Sequence, residues 1–155
     1  MPQLRKGGKF IFGWSLIRPD ATIKLPDSAV NEYKIASEGK VILISGSRKT
    51  GGFCVSRRKL LANSEIGEVL REIPQLDSYA VPEGSFAKWK GRLYCWLAIS
   101  TEGTIRLTDE IFQGLSIKKG DRLLCIRGSD IAFVMGAKGP LVELASSSKS
   151  QIDVY

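Results

Sequence analysis

Short runs of apolar and alternating residues recur along the chain and predict β-strands. Thr22–Leu25 and Thr104–Leu107 alternate polar and apolar positions, which is the period of a strand with one buried face. Phe10–Ile17 and Leu93–Ile99 are rich in aromatic and branched residues, which favour strands. Turn-forming residues follow each aromatic run, so each run is predicted to form an antiparallel hairpin with the alternating strand after it. Four more apolar runs are predicted as strands: Val41–Ile44, Phe53–Val55, Leu123–Ile126 and Ile131–Met135.

Three short helices are predicted between these strands. Asp27 or Ser28 can cap the first one, and Thr108 or Asp109 can cap a second, because their side-chain oxygens accept the free N–H groups of a first helical turn. A third helix is predicted over Asn63–Ile73, where apolar residues recur at helical spacing before Pro74. The segment Asp77–Trp89, with Pro82 and Gly84, is predicted as a loop.

The predicted elements occur twice, because an offset of 82 residues aligns two halves of the chain. Thr22-Ile23-Lys24-Leu25 falls on Thr104-Ile105-Arg106-Leu107, and Lys40–Ile44 falls on Arg122–Ile126. Similarity that holds register over this length indicates an internal duplication. The sequence therefore divides into a first repeat over 8–56, a helical linker insertion over 57–89, a second repeat over 90–145 and a flexible tail over 146–155.

The amino-acid composition limits which catalytic and metal sites the protein can contain. The chain has 155 residues and no histidine, which removes Ser-His-Asp and Cys-His nucleophile pairs and most zinc sites. The three cysteines lack C-x-x-C spacing and lie among apolar neighbours, so they are predicted as buried thiols in strands. No acid–base pair stands out among the other residues. We therefore predict no enzyme activity, no catalytic residue, no metal and no cofactor.

The chain is basic, with a formal net charge of +7. This balance favours contact with nucleic acid or another polyanion, although it also serves solubility alone. The candidate DNA-binding residues lie in hairpins, turns and the densest basic cluster; they are Arg18, Lys24, Arg48, Lys49, Arg57, Arg58, Lys59 and Arg106. Thr50-Gly51-Gly52, beside two of them, could offer backbone N–H groups to an anion. Apolar runs such as Val41–Ile44 are too short to cross a bilayer, so the expectation is a cytoplasmic protein without membrane contact.

The second repeat resembles the AbrB/SpoVT/MazE-type swapped-hairpin β-barrel family. In that family a "G-x-I-x-I-P" strand leads into a short helix and then into a "G-D-x-V/L" box. Gly103 fits the first glycine, Gly120-Asp121 fits the box, and Ile23-Lys24-Leu25-Pro26 supplies the proline in the first repeat. The resemblance implies a mainly β fold with short helices, in which the two repeats form one swapped-hairpin, or cradle-loop, barrel with an inter-repeat helix added.

The resemblance also implies a function, since members of this prokaryotic family often act as DNA-binding transcription regulators or antitoxins. Double-stranded DNA is therefore the expected partner, gripped on a pseudo-twofold barrel, and a homodimer or protein partner remains open. Family members that bind DNA carry an arginine just after the hairpin glycine, where this chain has Thr22 and Thr104. The alternative is a barrel that has lost DNA binding and serves as a small-molecule or protein-interaction module.

Overall fold

The computed structural model describes residues 5–6, 9–147 and 152–155. Its helices, in chain order, are α1 (Asp27–Tyr33), α2 (Arg58–Ala62), α3 (Glu68–Glu72), α4 (Pro74–Asp77), α5 (Asp109–Leu115) and α6 (Pro140–Ser147), with a 3-10 turn at Glu65–Gly67. Its strands are β1 (Arg5–Lys6), β2 (Lys9–Leu16), β3 (Thr22–Lys24), β4 (Lys40–Ser45), β5 (Phe53–Ser56), β6 (Ala87–Trp89), β7 (Arg92–Ala98), β8 (Thr104–Arg106), β9 (Arg122–Arg127) and β10 (Phe133–Gly136). The fold is mainly β with short helices, as predicted.

Eight strands form one antiparallel sheet in the order β1-β2-β9-β10-β5-β4-β7-β6, and β3 pairs with β8 in a separate two-stranded ribbon. The chain does reverse at the predicted turns, where the Arg18 N–H donates to the Thr22 carbonyl and the Ser100 N–H to the Thr104 carbonyl, and Ile99 forms one antiparallel bridge with Ile105. The predicted hairpins do not extend further, because β3 and β8 pair with each other. The main-sheet strands also pair across the halves, since β2 pairs with β9 and β7 pairs with β4. Each half thus completes its part of the sheet only with a strand from the other half.

The register of these pairs repeats with the offset of the sequence. Trp14 pairs with Leu124, and the residues 82 positions away, Trp96 and Ile42, pair with each other. Ile23 pairs with Ile105, its own counterpart, at the centre of the ribbon. The counterparts in the main sheet are β1 and β6, β2 and β7, β4 and β9, and β5 and β10. When each strand is exchanged for its counterpart, the strand order reads the same from the opposite edge of the sheet. The pairing therefore has an approximate internal twofold relation.

The predicted closed barrel is not formed. Among the described residues, β1 and β6 are the two end strands of the sheet, and no hydrogen-bonded pairing joins them. Each end strand is very short, and β2 carries a bulge between Ile11 and Gly13. The sheet is consequently open, and the core is closed by elements packed on its two faces.

One apolar cluster fills the space between the sheet, the β3–β8 ribbon and helices α1 and α5; it includes Ile23, Ile105, Phe53 and Phe133, all buried. Two further clusters lie on the other face of the sheet. Helices α2, α3 and α4 cover β4 and β7, while α6 covers β2 and β9. Because β4 and β9 are buried on both faces, their sequences read as continuous apolar runs.

Several local predictions differ from the structure. The helix predicted over Asn63–Ile73 begins later than predicted, as a 3-10 turn at Glu65–Gly67 that continues directly into α3. At Gly67 a Cβ atom would lie 2.4 Å from the Leu61 carbonyl oxygen, so glycine lets this turn pack closely against α2. The loop predicted to end at Trp89 contains β6. In the predicted tail, residues 148–151 lie outside the described residues, while Tyr155 bonds to the backbone of Trp14.

Candidate nucleic-acid interface

The eight predicted DNA-binding residues lie on three parts of the structure. Two of these parts are the opposite ends of the main-sheet strands, and the third is the ribbon. Arg18, Arg48 and Lys49 are at one end; Arg57, Arg58 and Lys59 are at the other end; Lys24 and Arg106 are on the ribbon. The structure therefore does not bring all eight together.

The end that contains Arg18 and Arg48 gathers more basic residues than the sequence indicated. The strands are antiparallel, so one end of the sheet contains the last residues of some strands and the first residues of others. At this end lie the last residues of β2, β10, β4 and β6 and the first residues of β9, β5 and β7. We call this end the basic rim, and its basic residues are Arg18, Arg48, Lys49, Lys90, Arg92, Lys118, Lys119, Arg122 and Lys138. All are exposed except Arg18, which is half-buried.

These basic side chains are largely without carboxylate partners. Lys90 lies 3.7 Å from a carboxylate oxygen of Glu68, and the Arg122 guanidinium lies 4.9 Å from the centre of the Trp14 ring. Within the described part of the chain, none of the other basic residues of the rim forms an ion pair. Unpaired charges of one sign on a surface produce a field that attracts polyanions.

Backbone contacts hold the central part of the rim in place. The Thr50 carbonyl oxygen accepts hydrogen bonds from the N–H groups of Ala137 (2.8 Å) and Lys138 (3.0 Å). The loop after β4 therefore lies against the loop after β10, which brings Arg48 and Lys49 near Lys138. The predicted anion nest at Thr50-Gly51-Gly52 is partly used internally, because the Thr50 and Gly51 N–H groups donate to Ser47.

A second set of contacts holds the side of the rim next to β2. The Ile17 N–H donates to the Asp121 carbonyl (2.9 Å), and the Gly120 N–H donates to the Ile17 carbonyl (2.7 Å). The Lys118 N–H also donates to the Asp121 carboxylate at 3.0 Å, which shapes the turn. Arg18 from the first half thus lies next to the Lys118–Lys119 turn of the second half.

The opposite end of the sheet also carries basic residues, and the register places Lys6 and Lys9 of the β1–β2 hairpin there. We use the name paired rim for five residues of this end, Lys40, Arg57, Arg58, Lys59 and Arg127, whose three arginines are paired. Arg57 donates from Nη1 to the Glu38 carboxylate (3.0 Å) and from Nε to the Tyr33 carbonyl (3.0 Å). Arg127 pairs with Glu32. Arg58 donates to Asp77 at 2.6 Å, and this hydrogen bond raises the pKa of Arg58.

Lys59 and Lys40 complete the paired rim. Lys59 is exposed and, among the described residues, forms no side-chain ion pair. The Lys40 ammonium lies 5.1 Å from the centre of the Tyr79 ring and 5.9 Å from that of Trp96. Four of the five residues of the paired rim therefore have their positive charge engaged within the protein.

Of the two ribbon residues, only Lys24 is held by a carboxylate. The Lys24 ammonium donates to the Leu25 carbonyl and to the Asp27 carboxylate, both at 2.7 Å. Arg106 is exposed and, among the described residues, forms no ion pair; it lines a cavity of about 360 Å³ together with Glu83 and Asp109. Hydrogen bonds from Thr22 lower the pKa of Asp20, and the charge of Arg106 adds to this effect.

Six residues of the basic rim were not among the predicted ones: Lys90, Arg92, Lys118, Lys119, Arg122 and Lys138. Their sequence signal was weak, because each lies alone or in a pair beside a turn glycine rather than in a dense basic cluster. Only the pairing of strands across the two halves brings them to one end of the sheet.

The described residues also bear on metal binding, thiol chemistry and membrane insertion. In the part of the chain that the structure describes, no three or more His, Cys, Asp or Glu side chains are placed to hold a metal ion. Burial raises the pKa of the Cys95 thiol to about 12 and that of Cys125 well above its usual range, so both thiols stay protonated. No described helix has the length and apolar character needed to span a membrane.

A scan against protein-family models found no match. A search of curated proteins also found no match.

Proposed function

We propose that the protein binds double-stranded DNA through the basic rim and acts as a DNA-binding regulator of the AbrB/SpoVT type, with a swapped-hairpin architecture built from two repeats in one chain. The single observation that carries this proposal is the rim itself. Nine basic side chains lie at one end of a single sheet, and of these only Lys90 has a carboxylate partner among the described residues.

Duplex DNA fits this surface for a physical reason. DNA presents closely spaced phosphates, and a protein that neutralises several of them gains free energy from the release of condensed counterions. Such binding needs exposed, unpaired Lys and Arg side chains spread over one surface, since an ion pair within the protein would first have to be broken. The rim meets this requirement, and the paired rim does not.

The test is a fluorescence-polarisation titration of a labelled random duplex at about 50 mM and about 200 mM salt. We expect binding at the lower salt and a loss of affinity of tenfold or more at the higher salt, because each phosphate contact contributes about 0.9 to the logarithmic salt slope. Undetectable binding at low salt, or affinity that does not depend on salt, would overturn the proposal.

Two variants with equal charge changes locate the binding surface. One replaces Arg48, Lys49 and Lys138 with Gln, and the other replaces Lys34, Lys59 and Arg71, which are exposed residues away from the basic rim. The first variant should bind about tenfold more weakly or worse, with a salt slope reduced by about 3. The second should stay within about threefold of the unmodified protein, because it loses only long-range attraction.

A further inference from the structure

We infer that the β6–β7 hairpin is a groove-inserting arm that enters the major groove of the bound duplex; this inference rests on the proposed function. The hairpin is one of the tightest elements of the fold. Trp89 pairs with Arg92, and only Lys90 and Gly91 lie between them, with φ angles of 47° and 78°. Two successive positive φ angles define the type I′ turn, whose twist matches that of a two-stranded ribbon.

The base of the hairpin is anchored to the protein. The Trp89 and Tyr94 rings meet edge to face with their centres 6.0 Å apart, in the cluster beneath α2, α3 and α4. The Leu93 N–H donates to the Ser45 hydroxyl at 3.0 Å, which ties the hairpin to the end of β4. The arm is therefore held rigidly, so little order has to be gained when it binds.

The tip of the hairpin projects into open space and is basic. Lys88, Lys90 and Arg92 are all exposed. A Cβ atom built on Gly91 would meet no other atom within 4 Å. The Lys90 ammonium lies 3.7 Å from a Glu68 carboxylate oxygen and 4.7 Å from the centre of the Trp89 ring, so it has to leave these contacts to reach DNA. Among the described residues, Lys88 and Arg92 form no ion pair, and the turn lies next to the Arg48 and Lys49 loop of the basic rim.

These dimensions suit the major groove. Paired strands lie about 4.8 Å apart, and the major groove of B-form DNA is about 12 Å wide, which admits a two-stranded ribbon with its side chains. The minor groove, about 6 Å wide, does not. Lys and Arg at the tip can reach the acceptor atoms of guanine, while the rest of the rim contacts phosphates.

The test combines a hairpin variant with two groove-specific competitors. The variant carries Lys88→Gln, Lys90→Gly and Arg92→Gln, and the glycine preserves the turn because it adopts positive φ freely. Unchanged urea unfolding would establish that the variant folds. Methyl green occupies the major groove and netropsin the minor groove, and each is added to the preformed complex with a fluorescent duplex.

We expect methyl green, but not netropsin, to displace the unmodified protein. The hairpin variant should bind about tenfold more weakly, and its remaining binding should resist methyl green. Unchanged affinity or unchanged sensitivity to methyl green would overturn the inference, and the hairpin charges would then only guard the sheet edge against pairing. If the variant at Arg48, Lys49 and Lys138 still weakens binding in that case, the proposed function stands; if neither variant changes binding, both fail.

Discussion

The two ends of the main sheet occupy equivalent positions in the fold but differ in how they use charge. The offset of 82 residues relates Arg48 on the basic rim to Asp130, and Lys118 and Lys119 to Ala36 and Ser37 on the paired rim. The three arginines of the paired rim are each held by a carboxylate. The five residues of the paired rim are therefore mostly engaged within the protein, whereas the nine residues of the basic rim are mostly without a carboxylate partner among the described residues.

This difference separates two roles of a basic residue. An enclosed arginine that is held by a carboxylate is unavailable to ligands, and removing its partner destabilises the protein because a charge is left in a poorly hydrated place. An exposed lysine without a partner contributes little to stability and attracts polyanions. The predictions below test whether the two rims divide in this way.

The largest effect is expected at Glu38. The side chains of Glu38 and Arg57 are each only 14% exposed. Glu38→Ala should therefore lower the free energy of unfolding by about 3 kcal/mol, since it leaves Arg57 enclosed without its partner. Urea unfolding measures this loss. The double variant Glu38→Leu and Arg57→Met should recover most of the lost free energy, because neither charge is then left enclosed. A loss below about 1 kcal/mol in Glu38→Ala would show that Arg57 does not depend on Glu38, as in an exposed ion pair.

A smaller effect is expected at Tyr33, which supports the paired rim from the core. Its hydroxyl donates to the Ser129 carbonyl at 2.6 Å, so Tyr33→Phe should cost about 1 kcal/mol near neutral pH. Burial raises the pKa of Tyr33 from 10.0 to about 12.

The raised pKa of Tyr33 fixes the sign of its pH dependence. The unfolded protein releases the phenol proton at lower pH than the folded protein, so stability is full below pH 10 and falls as pH rises toward 12. Unfolding measured at pH 8 and pH 11 should show a smaller decrease for Tyr33→Phe than for the unmodified protein. An equal decrease in both proteins would contradict this role of Tyr33.

The Arg58–Asp77 pair should matter less than the Arg57–Glu38 pair, because its side chains are 43% and 37% exposed. Asp77→Asn is expected to cost at most about 1 kcal/mol, and less in high salt, since water and ions screen an exposed pair. Urea unfolding at low and high salt measures the difference. A cost as large as that of Glu38→Ala would mean that exposure does not rank the pairs of this rim.

The smallest effect on stability is expected from the basic rim. The variant that replaces Arg48, Lys49 and Lys138 with Gln should unfold within about 0.5 kcal/mol of the unmodified protein, because surface residues without specific partners rarely contribute more. The same unfolding assay provides the measurement. A loss of several kcal/mol would show that these charges hold the fold together and would remove the distinction between the rims.

The strands could be predicted from the sequence, but their partners could not. Alternation at Thr22–Leu25 and the apolar run Val41–Ile44 reflect local burial, which the sequence records directly. Pairing of Ile23 with Ile105 depends on how the two halves meet, and nothing in either segment alone encodes it. For this reason the local reversals were predicted correctly but the partners of β3 and β8 were not, and the predicted barrel is an open sheet.

The candidate site was predictable only in part. Arg18, Arg48 and Lys49 were identified because they lie in or beside turns, whereas the dense cluster Arg57-Arg58-Lys59 drew attention by its composition. Its arginines are engaged by Glu38 and Asp77, whose positions in the fold a linear sequence does not reveal. The basic rim itself arises from exchange of strands between the halves, since Arg18 meets the Lys118–Lys119 turn only through that exchange.

The most direct test of the division between the two rims is a lysine-labelling footprint of the protein, measured by mass spectrometry with and without duplex DNA at low salt. DNA bound at the basic rim should protect Lys49, Lys90, Lys118, Lys119 and Lys138, while Lys59 on the paired rim and Lys34 after α1 should react equally in both states. Equal protection of the two groups, or protection of Lys59 alone, would contradict the assignment of DNA binding to the basic rim.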